Sequence, residues 1–314
     1  MLDPKTTAFL FPGQGSQFVG MGKELANAFP AARNLFTEAD DSLQVKLSEL
    51  CWNGPETDLN NTYNTQPALF VCSLAALAAL HERLGEFKPA FVAGHSLGEI
   101  SAVVAADGLN FVDGLGLVRE RGRLMQQAGT MSPGGMAAIL NLDAAVLTAV
   151  CAEASTATGK VVQVANDNCA SQVVISGDTV ALEKAMELAK ATGAKRAIKL
   201  PVSIAAHSPL MQVVVAEYDN YVQGLPLIEP LLPIIANATA QPLGNIESIR
   251  TELVSQLTTR VRWTETIRYL VAQGVTSFVE LGSKEVLTGL LKRIAPETTG
   301  YAVGTPEAIA LLSG

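Results

Sequence analysis

The chain has 314 residues, of which 48% are hydrophobic and 17% charged, and a formal net charge of −8. That length and apolar share require a large buried core in one or two domains, and an acidic balance with no Lys/Arg block argues against a nucleic-acid binder. The four cysteines, Cys51, Cys72, Cys151 and Cys169, show no C-x-x-C spacing and no histidine companions, so free core thiols in a reducing cytoplasm are expected, with no metal site and no disulfide framework.

The start, Met1 to Lys5, lacks a basic stretch followed by a long apolar one, so no signal peptide is expected. Thr7 to Phe11 reads as a strand that runs into Pro12-Gly13-Gln14-Gly15-Ser16-Gln17. A glycine-rich loop after a strand suits a phosphate or an oxyanion. A P-loop needs Gly-Lys-Ser/Thr, but Gly20 is followed by Met21, and a dinucleotide fingerprint needs a third glycine where Phe18 stands. An oxyanion-hole loop remains, the counterpart of the glycine-rich loop of α/β-hydrolases. Residues 21–60 read as short helices with polar turns. Gln66-Pro67 then opens an apolar helix ending near His81; its run from Pro67 to Leu80 is too short for a typical membrane span and reads as buried core.

Ala90 to Gly94 is a second apolar run, and it ends in Gly94-His95-Ser96-Leu97-Gly98-Glu99 before a small-residue helix pattern from Ile100 to Ala106. This is the signature of a nucleophile elbow. The turn is too tight for side chains at its flanks, so glycines stand at 94 and 98, and Ser96 is lifted above the sheet at a helix N-terminus that favours negative charge. Asp107-Gly108 reads as the stop of that helix. Phe111 to Gln127 has helical spacing and carries Arg119, Arg121 and Arg123. Ser132-Pro133-Gly134-Gly135 interrupts the pattern as a hinge would.

A different rhythm follows. Met136 to Leu142 is a strand, Asp143 caps a helix to about Ser155, Val161 to Ala165 and Gln172 to Ser176 are strands, Asp178 caps a helix Thr179 to Ala191, and Ala194 to Leu200 is a last strand ended by Pro201. The order β-α-β-β-α-β predicts a ferredoxin-like subdomain. It is expected to be inserted at 132–205 in a discontinuous catalytic domain of residues 1–131 and 206–314, an α/β-hydrolase-like core with a parallel sheet. The larger pattern resumes with a helix Ser208 to Gln223, a strand around Ile234, helices around Leu253 and Ile267, a strand Ser277 to Leu281, a helix Lys284 to Ile294 and a short tail.

A serine nucleophile needs a base, and the chain has three histidines. His95 is locked beside Ser96 in the turn, and His81 ends an apolar helix where a surface imidazole suits the dipole. His207, in the loop returning from the subdomain, is the base by elimination. No Asp or Glu lies near it in sequence, so the group that orients it stays open, as does the choice among the three arginines.

At this point the residues resemble a known family. Phe11 to Gln17, Thr65-Gln66-Pro67-Ala68, Gly94 to Glu99, Arg121-Gly122, Asn166 to Gly177, Ala206-His207-Ser208, Gln256 to Trp263 and Val286 to Leu290 follow the order found in malonyl-CoA:acyl carrier protein transacylases, the loading enzymes of bacterial fatty acid synthesis. The likeness spans nearly the whole chain. It departs at Gly282-Ser283-Lys284-Glu285, where the family commonly has Gly-Pro-Gly-Lys, and the Ile204-Ala205-Ala206 stretch is variable among relatives. The resemblance implies a Ser96–His207 dyad oriented by the Gln256 carbonyl, an oxyanion hole from the backbone N–H groups of Gln14 and Leu97, and Arg121 as the partner of the malonyl carboxylate, with Gln66 and Gln14 also binding substrate. It implies malonyl-CoA, CoA and the phosphopantetheine form of an acidic acyl carrier protein as partners and no cofactor or metal, while the charge balance and the short apolar run already lead to the expectation of no nucleic acid and no membrane. The expected state is a cytoplasmic monomer. Two basic clusters are candidates for carrier docking, Lys190, Lys195, Arg196 and Lys199 in the subdomain, and Lys284, Lys292 and Arg293 near the C-terminus. The alternatives are a polyketide-pathway acyltransferase, a serine esterase or thioesterase using the same elbow, and a non-catalytic carrier-binding module.

Overall fold

The computed structural model describes residues 2–312. Two sheets organise them. Strands β1 (Thr7–Phe11), β2 (Phe91–Gly94), β7 (Ile234–Ile235), β8 (Ser277–Leu281) and β9 (Thr299–Val303) form a parallel sheet in the order β7-β2-β1-β8-β9. Strands β3 (Gly134–Leu140), β4 (Val162–Cys169), β5 (Gln172–Asp178) and β6 (Arg196–Lys199) form a separate antiparallel sheet in the order β4-β5-β3-β6.

The parallel sheet is apolar on both faces because helices cover both. Strand alternation divides its residues: Phe9, Phe11, Val92 and Val279 join one core, with the helices Pro30–Leu43, Thr62–Leu84 and Phe111–Met131. Ala8, Leu10, Ala93 and Phe278 join the other, with the helices Trp263–Ala272 and Val286–Ile294. The antiparallel sheet is covered on one face by the helices Ala144–Thr158 and Thr179–Ala191, through Ile139, Leu147, Val164, Ile175 and Leu182. Its other face, with Met136, Ala138, Val174 and Leu200, turns toward the parallel sheet and roofs a cavity. The four cysteines are free and buried.

Several boundaries differ from the expectation. The helix Thr62–Leu84 does not open at Gln66-Pro67 but at an Asn61 cap, whose side chain accepts from the Tyr63 N–H at 3.0 Å. Pro67 therefore lies inside it and cannot donate to the Tyr63 carbonyl one turn back. Arg119 takes that carbonyl instead at 3.0 Å, bonds the Asn64 side chain, and stacks over the Tyr63 ring at 3.3 Å. The helices touch at Gly122, where a Cβ would stand 2.9 Å from the Thr62 carbonyl oxygen. At 23 residues this helix is long and apolar enough to cross a membrane, yet 72% of its most apolar window is buried within the protein.

The hinge expected at Ser132 to Gly135 is instead the start of β3: Gly134 and Gly135 pair with Asp178 and Gly177. Strand β6 is shorter than the Ala194 to Leu200 run, and the segment after His207 begins with a 3₁₀ turn, Pro209–Met211, before its α-helix Gln212–Gln223. The tail is not unstructured. It supplies β9, paired in parallel with β8, and a helix Pro306–Leu312.

Candidate active site

The chain turns at the carboxyl end of β2 within a few residues. A Cβ on Gly94 would lie 1.9 Å from the Gly98 carbonyl carbon, and one on Gly98 would lie 2.0 Å from the Phe11 carbonyl oxygen. Only glycine lets the turn close on itself and on β1. Ser96 between them is left-handed, with φ 53°, which for a residue with a side chain costs about 1–3 kcal/mol and must be held by its surroundings.

Its hydroxyl sits at the centre of a short chain of contacts. Ser96 Oγ is 2.7 Å from His207 Nε2, and His207 Nδ1 is 2.7 Å from the Gln256 carbonyl oxygen. A carbonyl can only accept, so Nδ1 carries the proton and Nε2 is left to accept from the serine. His207 is itself left-handed, φ 57°, and Gln163 on β4 donates to its carbonyl at 2.8 Å and to the Thr258 carbonyl at 3.0 Å. Burial, and secondarily the nearby Arg121 charge, push the His207 imidazole down to about 3, so the ring is neutral near pH 7.

Of the three arginines, only Arg121 reaches this point. It is 1% exposed, and its guanidinium donates to Ser96 Oγ at 3.1 Å, to Gln66 Oε1 at 3.0 Å and to Gln256 Oε1 at 2.6 Å. Burial lowers it from the ordinary arginine value, while Tyr218 and Glu99 act the other way. Arg119 is spent on the Tyr63 turn, and Arg123 on Glu120, Glu217 and Gln127. Gln66 lies behind Arg121, with its amide nitrogen 3.0 Å from Met125 Sδ, and does not line the cavity.

The cavity measures about 690 Å³ and is lined by Gln14, Ser96, Leu97, Arg121 and His207 below, and by Met136, Ala138, Val174 and Leu200 from the antiparallel sheet above. Among the described residues, no hydrogen bond uses the backbone N–H of Gln14 or of Leu97. Glu285 and Arg293 also line it, and Lys284 Nζ reaches the carbonyl of the lining residue Gly15 at 3.3 Å. The other two histidines are occupied. His95 Nε2 bonds Asn168 Oδ1 at 2.8 Å beside the Trp263 ring, and His81 Nε2, half-buried rather than on the surface, lies 3.2 Å from the Phe87 carbonyl.

Sequence reasoning missed the layer beneath. Glu99 is fully buried, accepts from the N–H and side-chain amide of Asn237 at 2.8 and 2.9 Å, and also accepts from Gln256 Nε2. Burial, then the neighbouring Glu252, raise its carboxyl well above the usual range. A carboxylate within an otherwise apolar helix start, and an asparagine just past Ile234-Ile235 at the carboxyl end of a parallel strand, were the available signals.

Residues 8–303 match the family described as the acyl transferase domain. The chain is 46% identical over 304 residues to the malonyl CoA-acyl carrier protein transacylase of Bacillus subtilis strain 168, covering 97% of this chain and 95% of that one. It is 42% identical over 303 residues to the protein of the same name from Escherichia coli K12, covering 96% and 97%. Among solved structures, a malonyl-CoA:acyl carrier protein transacylase from Xanthomonas oryzae superposes with TM-score 0.94 at 40% identity, covering 98% of this chain and 97% of that one. A malonyl-transacylase in complex with a type II PKS acyl-carrier protein superposes with TM-score 0.93 at 40% identity, covering 97% of each.

Proposed function

The chain belongs to the acyl transferase family and, within it, to the malonyl-CoA:acyl carrier protein transacylases, and from that membership we propose that Ser96 and His207 form its reacting pair. The enzyme moves the malonyl group from malonyl-CoA to acyl carrier protein, the unit that feeds fatty acid synthesis. One convergence carries the residue assignment: Ser96 Oγ is at once 2.7 Å from His207 Nε2 and 3.1 Å from Arg121.

The transfer runs in two halves through a malonyl-serine. His207 Nε2 takes the Ser96 proton as Oγ attacks the thioester carbon. The N–H groups of Gln14 and Leu97 receive the oxyanion, each worth about 3 kcal/mol in such holes. The C–S bond breaks as His207 returns that proton to the departing sulfur, so CoA leaves as the free thiol and His207 is neutral again. The phosphopantetheine thiol of the carrier protein then gives its proton to His207 and attacks the ester, and Ser96 recovers its hydrogen. Arg121 pairs with the malonyl carboxylate, Gln256 orients His207 through its carbonyl, and Gln66 braces Arg121. The turn at Ser96 acts as a nucleophile elbow on an α/β-hydrolase-like core, residues 1–131 and 206–314, and residues 132–205 act as a ferredoxin-like insertion that roofs it. The strand order β4-β5-β3-β6 around two helices supports that division.

The test is the fate of the acyl group. With malonyl-CoA and a phosphopantetheinylated carrier protein, the carrier should gain the mass of one malonyl group. Free malonate with no malonyl-carrier would make the protein a hydrolase.

A further inference from the structure

We propose that Asn237 is a positioning residue of the transfer reaction: its side-chain amide clamps the entry of the turn that carries Ser96 to its apex, and Glu99 fixes which way that amide faces. This deepens the reading of Ser96 as nucleophile and rests on it.

Asn237 follows β7 by two positions and is 2% exposed. Its Oδ1 accepts from the Ser96 N–H at 2.8 Å, and its Nδ2 donates to the Gly94 carbonyl at 2.7 Å. One planar amide thus ties the residue that enters the turn to the residue at its apex. The assignment of its oxygen and nitrogen is forced, because the flipped amide would set NH₂ against the Ser96 N–H and oxygen against both the Gly94 carbonyl and the Glu99 carboxyl. Glu99 supplies that discrimination. Its Oε1 accepts from both the N–H and Nδ2 of Asn237, and its Oε2 accepts from Nε2 of Gln256. Gln256 Nε2 also donates to the Ser96 carbonyl at 3.0 Å. The Gly94 carbonyl and both backbone groups of Ser96 are therefore held by two buried amides, and both amides are joined to Glu99.

The clamp has a chemical consequence. It holds Ser96 in its left-handed conformation with Oγ in reach of His207. It also commits the Ser96 N–H, so that the uncommitted N–H in the turn belongs to Leu97. Without it, the serine could relax out of line with the imidazole, and its own N–H would compete for the oxyanion's place.

The experiment follows acylation of the full-length enzyme by saturating malonyl-CoA in a single turnover, read by intact mass, for the wild type, Asn237→Ala, Asn237→Asp and Ser96→Ala, with KM and melting temperature alongside. Asn237→Ala should acylate about ten- to a hundredfold more slowly, with KM for malonyl-CoA within about threefold of the wild type. Asn237→Asp keeps the shape but faces a carboxylate toward Gly94 and Glu99, and should be as slow. On the wild type alone, amide hydrogen exchange should be slow at Ser96 and fast at Leu97. A folded variant that acylates at the wild-type rate, a loss confined to KM, or equal exchange at Ser96 and Leu97 would overturn the proposal. A wild type that gains no malonyl group absent from Ser96→Ala would instead overturn the nucleophile assignment on which it stands.

Discussion

Malonyl and acetyl thioesters differ by one carboxylate, and an apolar pocket cannot prefer the charged one, because stripping its water costs more than packing returns. In the proposed reading Arg121 is the missing cation; it is buried and 3.1 Å from Ser96 Oγ. Arg121→Ala leaves the malonyl carboxylate unpaired, at a cost of roughly 2–5 kcal/mol, while acetyl transfer needs no cation. The expected outcome is a loss of malonyl kcat/KM by orders of magnitude with acetyl kcat/KM kept or raised, and no such inversion in Arg119→Ala or Arg123→Ala. An equal fall for both thioesters would make Arg121 structural. The sequence offered three arginines on one helix with no means of choosing, because the choice depends on how that helix crosses the Thr62–Leu84 helix at Gly122. His207 was legible because elimination among three histidines sufficed, whereas its partner was not, since a backbone carbonyl has no residue type. The low His207 value also sets a pH dependence. The ring is displaced from 6.5 to about 3, so the base form prevails and kcat/KM should show no inflection near 6.5. The unfolded chain takes up the proton first, so stability falls as pH drops from 6.5 toward about 3, and that share is absent in His207→Ala. An activity limb near 6.5 would contradict the burial of His207.

At the scale of elements, the turn after β2 depends on backbone touching backbone. Gly98→Ala places a methyl group 2.0 Å from the Phe11 carbonyl oxygen, and neither β1 nor the helix Gly98–Ala105 can move without uncoupling the sheet. Urea unfolding should show a loss of about 3 kcal/mol or more, or no folded protein. An unchanged midpoint would mean that the turn has room the structure denies it. Strands β1 and β8 and the helix Thr179–Ala191 were readable to the residue, the helix because Asp178 accepts from the Val180 N–H at 2.9 Å as a cap should. Other elements were less legible, the tail helix Pro306–Leu312 among them. Pro67 masked the true start of its helix, since a proline is ordinarily read as a boundary and its rescue by Arg119 comes from another helix. Strand β9, Thr299–Val303, carries Gly300 in an edge strand exposed along its first half, so it lacks the apolar run that marked the other parallel strands.

Across the whole molecule, Ser96 and His207 lie where the carboxyl ends of the parallel strands meet the apolar face of the antiparallel sheet, and Arg293 lines the cavity between them while Lys284 bonds the Gly15 carbonyl on its wall. An acidic carrier protein approaching a chain of net charge −8 needs a local positive surface. Of the two basic clusters, the one with Lys284 and Arg293 adjoins the cavity and is the candidate to test, whereas Lys199 in the other is paired with Glu183 at 3.4 Å. Lys284→Glu with Arg293→Glu should raise KM for carrier protein several-fold and leave that for malonyl-CoA less affected, with the difference shrinking at high salt; equal effects on both substrates would place docking elsewhere. The most direct measurement of all is the intermediate itself. Incubated with malonyl-CoA alone, the wild-type enzyme should gain the mass of one malonyl group, the modified peptide should contain Ser96, and adding phosphopantetheinylated carrier protein should move that mass onto the carrier. An adduct that persists in Ser96→Ala, or a carrier that becomes malonylated with no enzyme adduct on the way, would contradict transfer through Ser96.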